Sequence, residues 1–199
     1  MSAVVPLDVF QPWADRIREC RRCELRGEVD EPVPGWGNVD AKVMVVGEYP
    51  AGDEPLLGRP FEERAGLLLK KAMRLGGLKH EECFLTLAVR CAPEGRVPAR
   101  CWHECRGWLW QEIKAVRPRV IVTLGDLPTR VLLRRTVGAV KLDDVAGMFF
   151  DLPFLPGAVA APWYSPSYML QRGKKFEERT VRFFEAVATR QQQEGVVGV

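Results

Sequence analysis

Residues 43–69, VMVVGEYPAGDEPLLGRPFEERAGLLL, contain an apolar run, a polar loop and an amphipathic segment in succession. The apolar run over residues 43–47 is short and almost uninterrupted, which is typical of a strand in a parallel sheet that is covered on both faces. Residues 63–75 carry apolar side chains at helical spacing and end before Gly76. The stretch therefore predicts a buried strand, a loop and a helix that packs on the sheet.

The same alternation continues along the chain. Three further apolar runs cover residues 83–89, 120–125 and 159–163, and helical patterns cover residues 103–116, 126–135 and 174–190. Strands that alternate with helices favour an α/β fold with right-handed crossovers. We predict a three-layer α/β/α sandwich with a central, mostly parallel four-stranded sheet. Pro162 indicates that the last run lies at an edge or ends a strand.

Length and composition suggest one domain. The chain has 199 residues, 47% of them hydrophobic, so we expect a single domain over residues 1–199 with a frayed tail at about 190–199. The N-terminal sequence lacks the pattern of a secretion signal, and no run reaches the roughly 18 apolar residues of a membrane span. We therefore expect a monomeric, cytoplasmic protein with no membrane partner. The formal charge of +3 requires a nucleic-acid partner only if the cations are clustered.

Five of the six cysteines fall into two groups. Cys20 and Cys23 form a CxxC pair at the end of a predicted first helix, and Cys91, Cys101 and Cys105 lie close together further along. Thiols stay reduced in a cytosolic protein, so metal binding is a better explanation than disulfides. Four thiolates can hold zinc or an iron–sulfur cluster. Spacing alone favours zinc because structural zinc is common.

Polar and turn-forming residues follow the four predicted strands. They are Glu48 and Tyr49 after the first, Arg90 after the second, Asp126 after the third and Ser165 after the last. Ligands of open α/β sheets bind outside the carboxyl ends of the strands. We therefore expect a pocket where these residues meet.

Four ordered motifs resemble the family 4, iron–sulfur branch of the uracil-DNA glycosylases. Residues 47–69 resemble that family's GEAPG, acidic residues and GRPFVGRAGxLL, and FLTLAVRCAPEGRVP (residues 84–98) resembles ITNVVKCRPPxNRxP. RPRVIVTLG (residues 117–125) resembles PxVIVxLG, and YSPSYMLQR (residues 164–172) resembles YHPAYLLR. The resemblance implies a DNA glycosylase of base excision repair, which hydrolyses the N-glycosidic bond of uracil or a related damaged base flipped out of DNA.

The resemblance also implies a cofactor, a [4Fe-4S] cluster on Cys20, Cys23, Cys91 and Cys105. Cys105 is preferred to Cys101 because HECRGWL continues as the family does after its fourth ligand. Glycosidic cleavage needs no redox chemistry, so the expected role of the cluster is structural. Zinc remains the alternative.

Two pocket residues match the family and three depart from it. Glu48 matches the family's glutamate, which implies a carboxylate on the sugar side, and Phe61 matches its base-stacking aromatic residue. Leu87 stands where the family has an asparagine that reads uracil, and Ser165 stands where it has a histidine that stabilises charge on the base. Leu87 cannot hydrogen-bond, and the Ser165 hydroxyl is a shorter, neutral donor. Tyr49 replaces a small residue at the expected pocket mouth.

Residues after the Ser-Pro-Ser turn are candidates for DNA binding. The resemblance places a loop that enters the minor groove here, followed by residues that contact phosphate. The candidates are Ser167, Arg172, Lys174 and Lys175. A second basic group around the cysteines could extend this surface; it comprises Arg90, Arg96, Arg100 and Arg106.

Two other functions remain open at this point. The first is a catalytically weak or inactive relative that binds DNA or damaged bases without efficient uracil excision, which the departures at Leu87 and Ser165 favour. The second is an α/β enzyme that acts on a free nucleoside or nucleotide at the same strand-end site.

Overall fold

A computed structural model describes residues 11–26, 31–139 and 141–193. Its strands are β1 (Trp36–Gly37), β2 (Val43–Gly47), β3 (Phe84–Leu87), β4 (Val120–Leu124), β5 (Phe150–Asp151) and β6 (Val159–Trp163). Its helices are α1 (Gln11–Arg18), α2 (Glu54–Leu57), α3 (Arg64–Leu75), α4 (Ala99–Val116), α5 (Asp126–Val137), α6 (Leu142–Val145), α7 (Pro166–Arg172) and α8 (Lys174–Gln192).

The strands form one sheet in the order β1-β3-β2-β4-β6-β5. The four central strands are parallel, and β1 and β5 pair antiparallel at the two edges. These central strands are the four apolar runs, so the predicted parallel sheet is confirmed. The edge strands have two residues each, which is too short for an alternation pattern to appear in the sequence.

Helices cover both faces of the sheet, as the predicted three-layer fold requires. On one face, α3, α7 and α8 pack through residues such as Leu69, Met169 and Phe184. On the other face, α4 and α5 pack through residues such as Leu109 and Leu132. The side chains of the central strands are buried on both faces, which explains why their sequences are almost continuously apolar rather than alternating.

Pro162 lies near the end of β6, where its missing N–H has no effect on pairing. The strand β5 pairs only with Val159 and Ala160, so no neighbour needs the Pro162 amide. The helix α8 ends at Gln192, and the rest of the predicted frayed tail, residues 194–199, lies outside the described residues. Within the described ranges, no helix is both long and apolar enough to cross a bilayer.

Candidate active site

A cavity of about 220 Å³ opens at the carboxyl ends of the parallel strands. Strand register explains its position, because Gly47 pairs with Leu87 and Leu124 pairs with Trp163, so the four strands end at one level. The described residues that line it are Gly47, Glu48, Tyr49, Ala51, Glu54, Phe61, Glu63, Ala65, Gly66, Leu87, Leu124, Ser165, Pro166 and Ser167. The cavity therefore brings together the five expected base-pocket and catalytic residues, with Ser167 beside them.

Glu48 is held by the first amides of α5. Its Oε1 accepts hydrogen bonds from the backbone N–H groups of Asp126 and Leu127, both at 3.1 Å. Gly125 precedes them at φ 101°, and a Cβ there would lie 2.6 Å from the Glu48 Cδ. Only glycine fits that position, since it tolerates the positive φ and leaves room for the carboxylate. One oxygen of Glu48 is thus fixed, and the other is left for a ligand or water in the cavity.

Burial raises the pKa of the Glu48 carboxyl above its ordinary value. The hydrogen bonds from the Leu127 and Asp126 amides oppose this effect, the Asp126 charge adds to it, and the Arg130 charge reduces it. A carboxylate with a raised pKa binds a proton more readily than an exposed one. Glu48 is therefore suited to accept a proton or to stabilise a neighbouring positive charge.

Phe61 forms a wall of the cavity in a backbone conformation that is rare for its residue type. Its φ is 62° and its side chain is 5% exposed. Two glycines allow this placement: a Cβ on Gly47 would lie 2.8 Å from the Phe61 ring, and one on Gly66 would lie 2.4 Å from the Phe61 carbonyl carbon and oxygen. Strained residues held by their surroundings are concentrated at functional sites, so the position of the ring is consistent with a base platform.

Glu54 and Glu63 also line the cavity, and the sequence did not single them out. Glu54 is 4% exposed, and its two oxygens accept hydrogen bonds from the amides of Ala51 at 3.2 Å and Glu62 at 3.0 Å. Burial raises the pKa of Glu54, and the backbone amides around it oppose the shift. Glu63 accepts a hydrogen bond from the Asp53 amide at 2.8 Å. Their only sequence signal is that acidic residues flank the glycine-rich motif.

Leu87 and Ser165 stand where the family has an asparagine and a histidine. Leu87 ends β3, is 2% exposed and touches the cavity. Ser165 is the N-cap of α7, and its Oγ accepts a hydrogen bond from the Tyr168 amide at 3.3 Å. The cap uses the hydroxyl as an acceptor, so its hydrogen can still be donated into the cavity. Tyr49, which is 38% exposed, lies at the rim as expected.

The four candidate DNA-binding residues are exposed on one side of the cavity. Ser167 touches the cavity from α7, and Lys174 and Lys175 begin α8. Arg172 donates a hydrogen bond to the Tyr168 hydroxyl at 2.6 Å, and its guanidinium lies 4.7 Å from the centre of that ring. The arginine is therefore held beside an aromatic face, whereas the two lysines have exposed side chains.

Arg90 does not belong to a DNA-facing surface, contrary to the sequence-based expectation. It is 1% exposed, and its guanidinium pairs with the equally buried Glu112 at 2.6 Å. Glu112 also accepts hydrogen bonds from the Thr86 hydroxyl at 2.6 Å and from the Gly35 amide at 3.1 Å. The pair therefore ties β3, α4 and the segment before β1 together behind the cavity. The other three members of that basic group, Arg96, Arg100 and Arg106, are exposed.

Four thiols converge on the far side of this buried pair. The pKa of the Cys91 thiol is raised to about 12, and burial is the largest cause. The neighbouring charges of Cys105, Cys23 and Cys20 also raise this pKa. Two N–H groups point at the set: the Arg90 amide lies 3.3 Å from the Cys105 Sγ, and the Trp108 indole lies 3.4 Å from the Cys20 Sγ.

Cys101 lies near this set but is joined to it differently. It is buried, and its side chain hydrogen-bonds with Cys23 and Glu24, so it contacts one member of the set. Cys105 acts on Cys91, and Cys20 and Cys23 act on Cys105, which agrees with the sequence-based preference for Cys105 as the fourth ligand.

The donor set fits a thiolate-bound cluster in its chemistry. All four donors are sulfur, the neighbouring thiols disfavour the ionisation of Cys91 and Cys105, and nearby N–H groups would stabilise thiolates, so a cationic group between them would relieve an electrostatic conflict. Within the described ranges, no three His, Cys, Asp or Glu side chains are arranged to hold a metal ion.

Comparison with known proteins agrees with this geometry. The model of the uracil DNA glycosylase superfamily matches residues 34–188. The type-4 uracil-DNA glycosylase of Thermotoga maritima is 33% identical over 170 residues, which cover 82% of this chain and 84% of the relative. That of Pyrobaculum aerophilum is 38% identical over 148 residues, 71% of this chain and 74% of the relative. A type-5 enzyme of the same organism is 37% identical over 138 residues, 61% of each chain. The chain therefore belongs to the uracil DNA glycosylase superfamily.

Proposed function

We propose that this protein is a DNA glycosylase that hydrolyses the N-glycosidic bond of a deaminated or damaged base flipped out of DNA. One observation carries the proposal: a single cavity at the strand ends is lined by Glu48, Phe61, Leu87 and Ser165. It combines a carboxylate, an aromatic wall and a hydroxyl in a space that suits one base. Superfamily membership supports the same reaction.

The proposed reaction follows from the groups in the cavity. The flipped base lies against the Phe61 ring, since stacking replaces part of what the base loses on leaving the duplex. As the bond from the sugar to the base breaks, positive charge develops on the sugar, and the carboxylate of Glu48 stabilises it. Water then adds to the sugar carbon, and its proton passes to Glu48 or to solvent. The raised pKa of Glu48 favours its acceptance of that proton.

Uracil is expected to be a poor substrate for this cavity. Leu87 offers no hydrogen bond to the edge of the base. Ser165 offers one neutral donor, whereas a histidine at this position would reach further and can carry a positive charge. Losing a donor to a developing anion typically costs about 2 to 4 kcal/mol in the transition state. We therefore propose a shifted specificity, with uracil excised slowly.

An oligonucleotide panel tests the function. Duplexes and single strands that contain uracil, hypoxanthine, xanthine, mismatched thymine or 7-methylguanine are incubated with the native protein and with Glu48→Gln, which keeps the shape of the side chain. Excision of at least one base by the native protein, reduced on the order of a hundredfold in the variant, is expected. If every substrate stays intact, the enzymatic proposal fails. Faster uracil excision by Leu87→Asn with Ser165→His would assign the shifted specificity to those two positions.

We also propose that Cys20, Cys23, Cys91 and Cys105 hold a [4Fe-4S] cluster. When bound, such a cluster cross-links the residues after α1 to α4 and to the segment after β3, and it contributes no step to base removal. The convergence of four thiols and the N–H groups directed at two of them support the assignment. Iron and sulfide analysis of protein prepared without oxygen tests it. Zinc without iron would refute it.

A second candidate is a relative that binds damaged DNA without rapid cleavage. Its support is that the Ser165 hydroxyl already caps α7 and that Leu87 is apolar. It predicts salt-dependent DNA binding that weakens when the exposed cations Arg172, Lys174 and Lys175 become alanine. Tight binding together with an intact oligonucleotide panel would favour this candidate over the glycosylase.

A further inference from the structure

The charged side chains in the wall of the candidate base cavity are of one sign. Glu48, Glu54 and Glu63 line it, and no Lys, Arg or His side chain is found among the described residues of its wall. The side-chain hydroxyls of Tyr49, Ser165 and Ser167 are its neutral donors. A ligand in this cavity therefore meets three carboxyl groups and no cation of the wall; from outside the wall, the Arg130 charge acts on Glu48.

Amides near the cavity are already used by these carboxyl groups. Glu54 accepts from the amides of Ala51 and Glu62, and the Phe61 and Glu63 amides also act on its carboxyl. Glu63 accepts from the Asp53 amide. Backbone N–H groups usually stabilise an anion that leaves in the transition state. In this protein, the backbone N–H groups between β2 and α3 donate instead to the protein's own carboxyl groups, those of Glu54 and Glu63.

This arrangement opposes a base that leaves as an anion. A neutral base such as uracil takes both bonding electrons and becomes negative, next to carboxylates that repel that charge. A base that is cationic before cleavage takes the same two electrons and becomes neutral. Its positive charge is attracted by the carboxylates and by the Phe61 ring while it is bound, and no anion forms.

We propose that the preferred substrate of this cavity is a nucleotide whose base carries a formal positive charge, such as a purine alkylated on a ring nitrogen. This proposal rests on the proposed glycosylase function and names its substrate class. Glu63, and with it Glu54, selects the cationic base, whereas Glu48 acts on the sugar side.

The chemistry of the step balances without a further reactant. The bond between C1′ and the ring nitrogen breaks, and its electron pair stays on the nitrogen, which neutralises the base. The oxygen of a water molecule bonds to C1′, and the water proton passes to Glu48 and then to solvent. The products are a neutral alkylated base, an abasic sugar and one proton.

Glu63→Gln provides the test, because glutamine keeps the acceptor for the Asp53 amide and removes the charge. Release of 7-methylguanine, uracil and hypoxanthine from otherwise identical duplexes is measured as kcat/KM, with the spontaneous loss of 7-methylguanine subtracted. The native protein is expected to prefer 7-methylguanine. The variant should lose on the order of tenfold in kcat/KM for that base and should gain, or stay unchanged, for uracil.

Glu62→Gln is the matched control. Glu62 is the preceding residue, pairs with Lys70 at 3.0 Å and is absent from the cavity wall as described. This variant should leave the ratio between the two bases unchanged. Equal effects of the two variants, or release of uracil or hypoxanthine without release of 7-methylguanine, would overturn the inference and leave the glycosylase function standing. Failure to release any base would remove the glycosylase function with it.

Discussion

The buried pair of Arg90 and Glu112 should be essential for stability, and Arg90→Met tests this. Arg90 is 1% exposed and Glu112 is 0% exposed, so the variant leaves a carboxylate in the interior without its counter-ion. Removing one partner of a buried ion pair typically costs about 3 to 5 kcal/mol. For a domain of this size, 1 kcal/mol shifts Tm by about 2 to 4 °C. We therefore expect a loss of roughly 6 to 20 °C.

The double variant Arg90→Met with Glu112→Met separates the ion pair from simple packing. Both charges are then gone, and the remaining losses are the acceptor for the Thr86 hydroxyl and the Gly35 amide and the hydrogen bond that Arg90 donates to the Thr86 hydroxyl. At about 1 kcal/mol for each of these hydrogen bonds, the double variant should lose about 3 kcal/mol, which is the lower end of the range for a single variant. It should thus be at least as stable as Arg90→Met or Glu112→Met alone.

Urea unfolding measures these differences, and it has to be followed by two signals. Far-ultraviolet circular dichroism reports the fold, and visible absorbance reports any bound cluster, since proteins that carry cofactors need not unfold in two states. Single variants that lose less than about 1 kcal/mol would refute the reasoning. A double variant as unstable as the sum of the single variants would refute it as well, because that result means independent contributions.

Three other changes have defined outcomes. Base excision should decline as the pH is lowered, with a midpoint above 4.5, the ordinary pKa of a glutamate, because burial raises the pKa of Glu48 and the reaction needs its ionised form. A pH–rate profile measures this midpoint, and a value at or below 4.5 would contradict the prediction. Gly66→Ala should destabilise by about 1 to 3 kcal/mol in urea, although alanine normally stabilises a helix, since the new Cβ would meet the Phe61 carbonyl at 2.4 Å. Cys91→Ala should lose its bound iron, as measured by elemental analysis. The control Cys83→Ala should keep it, because Cys83 is buried in the core on the face of the sheet covered by α3, α7 and α8.

The sequence was sufficient for the central sheet because its signal is physical and local. Strands buried on both faces have to be almost entirely apolar, with a polar group such as that of Thr86 hydrogen-bonded, so the runs that became β2 and β6 had the observed bounds, Val43–Gly47 and Val159–Trp163. The edge strands β1 and β5 and the short helices α2 and α6 leave no such pattern. Two to four residues are too few to show a period, and their structure depends on the chain packed around them.

The candidate site was predictable where a residue follows a strand, and not where it depends on a loop. Glu48 and Ser165 could be placed because strand ends of a parallel sheet meet at one edge. Glu54 and Glu63 could not, because their positions depend on which backbone amides the loop turns toward them. Arg90 was misread for a related reason: an arginine among surface arginines looks solvent-exposed, and its partner Glu112 lies 22 residues away along the chain.

The location of the charges explains why one fold can carry both a stable scaffold and a selective cavity. Behind the cavity, the charge of Glu112 is balanced by the guanidinium of Arg90 at 2.6 Å. At the cavity wall, Glu54 and Glu63 accept hydrogen bonds from backbone amides, and so does Glu48, on which the Arg130 charge also acts. A backbone amide orients a carboxyl group without supplying the counter-charge that an arginine in contact supplies. The wall therefore keeps negative charge that the buried pair has balanced, and this difference underlies the proposed preference for a positively charged base.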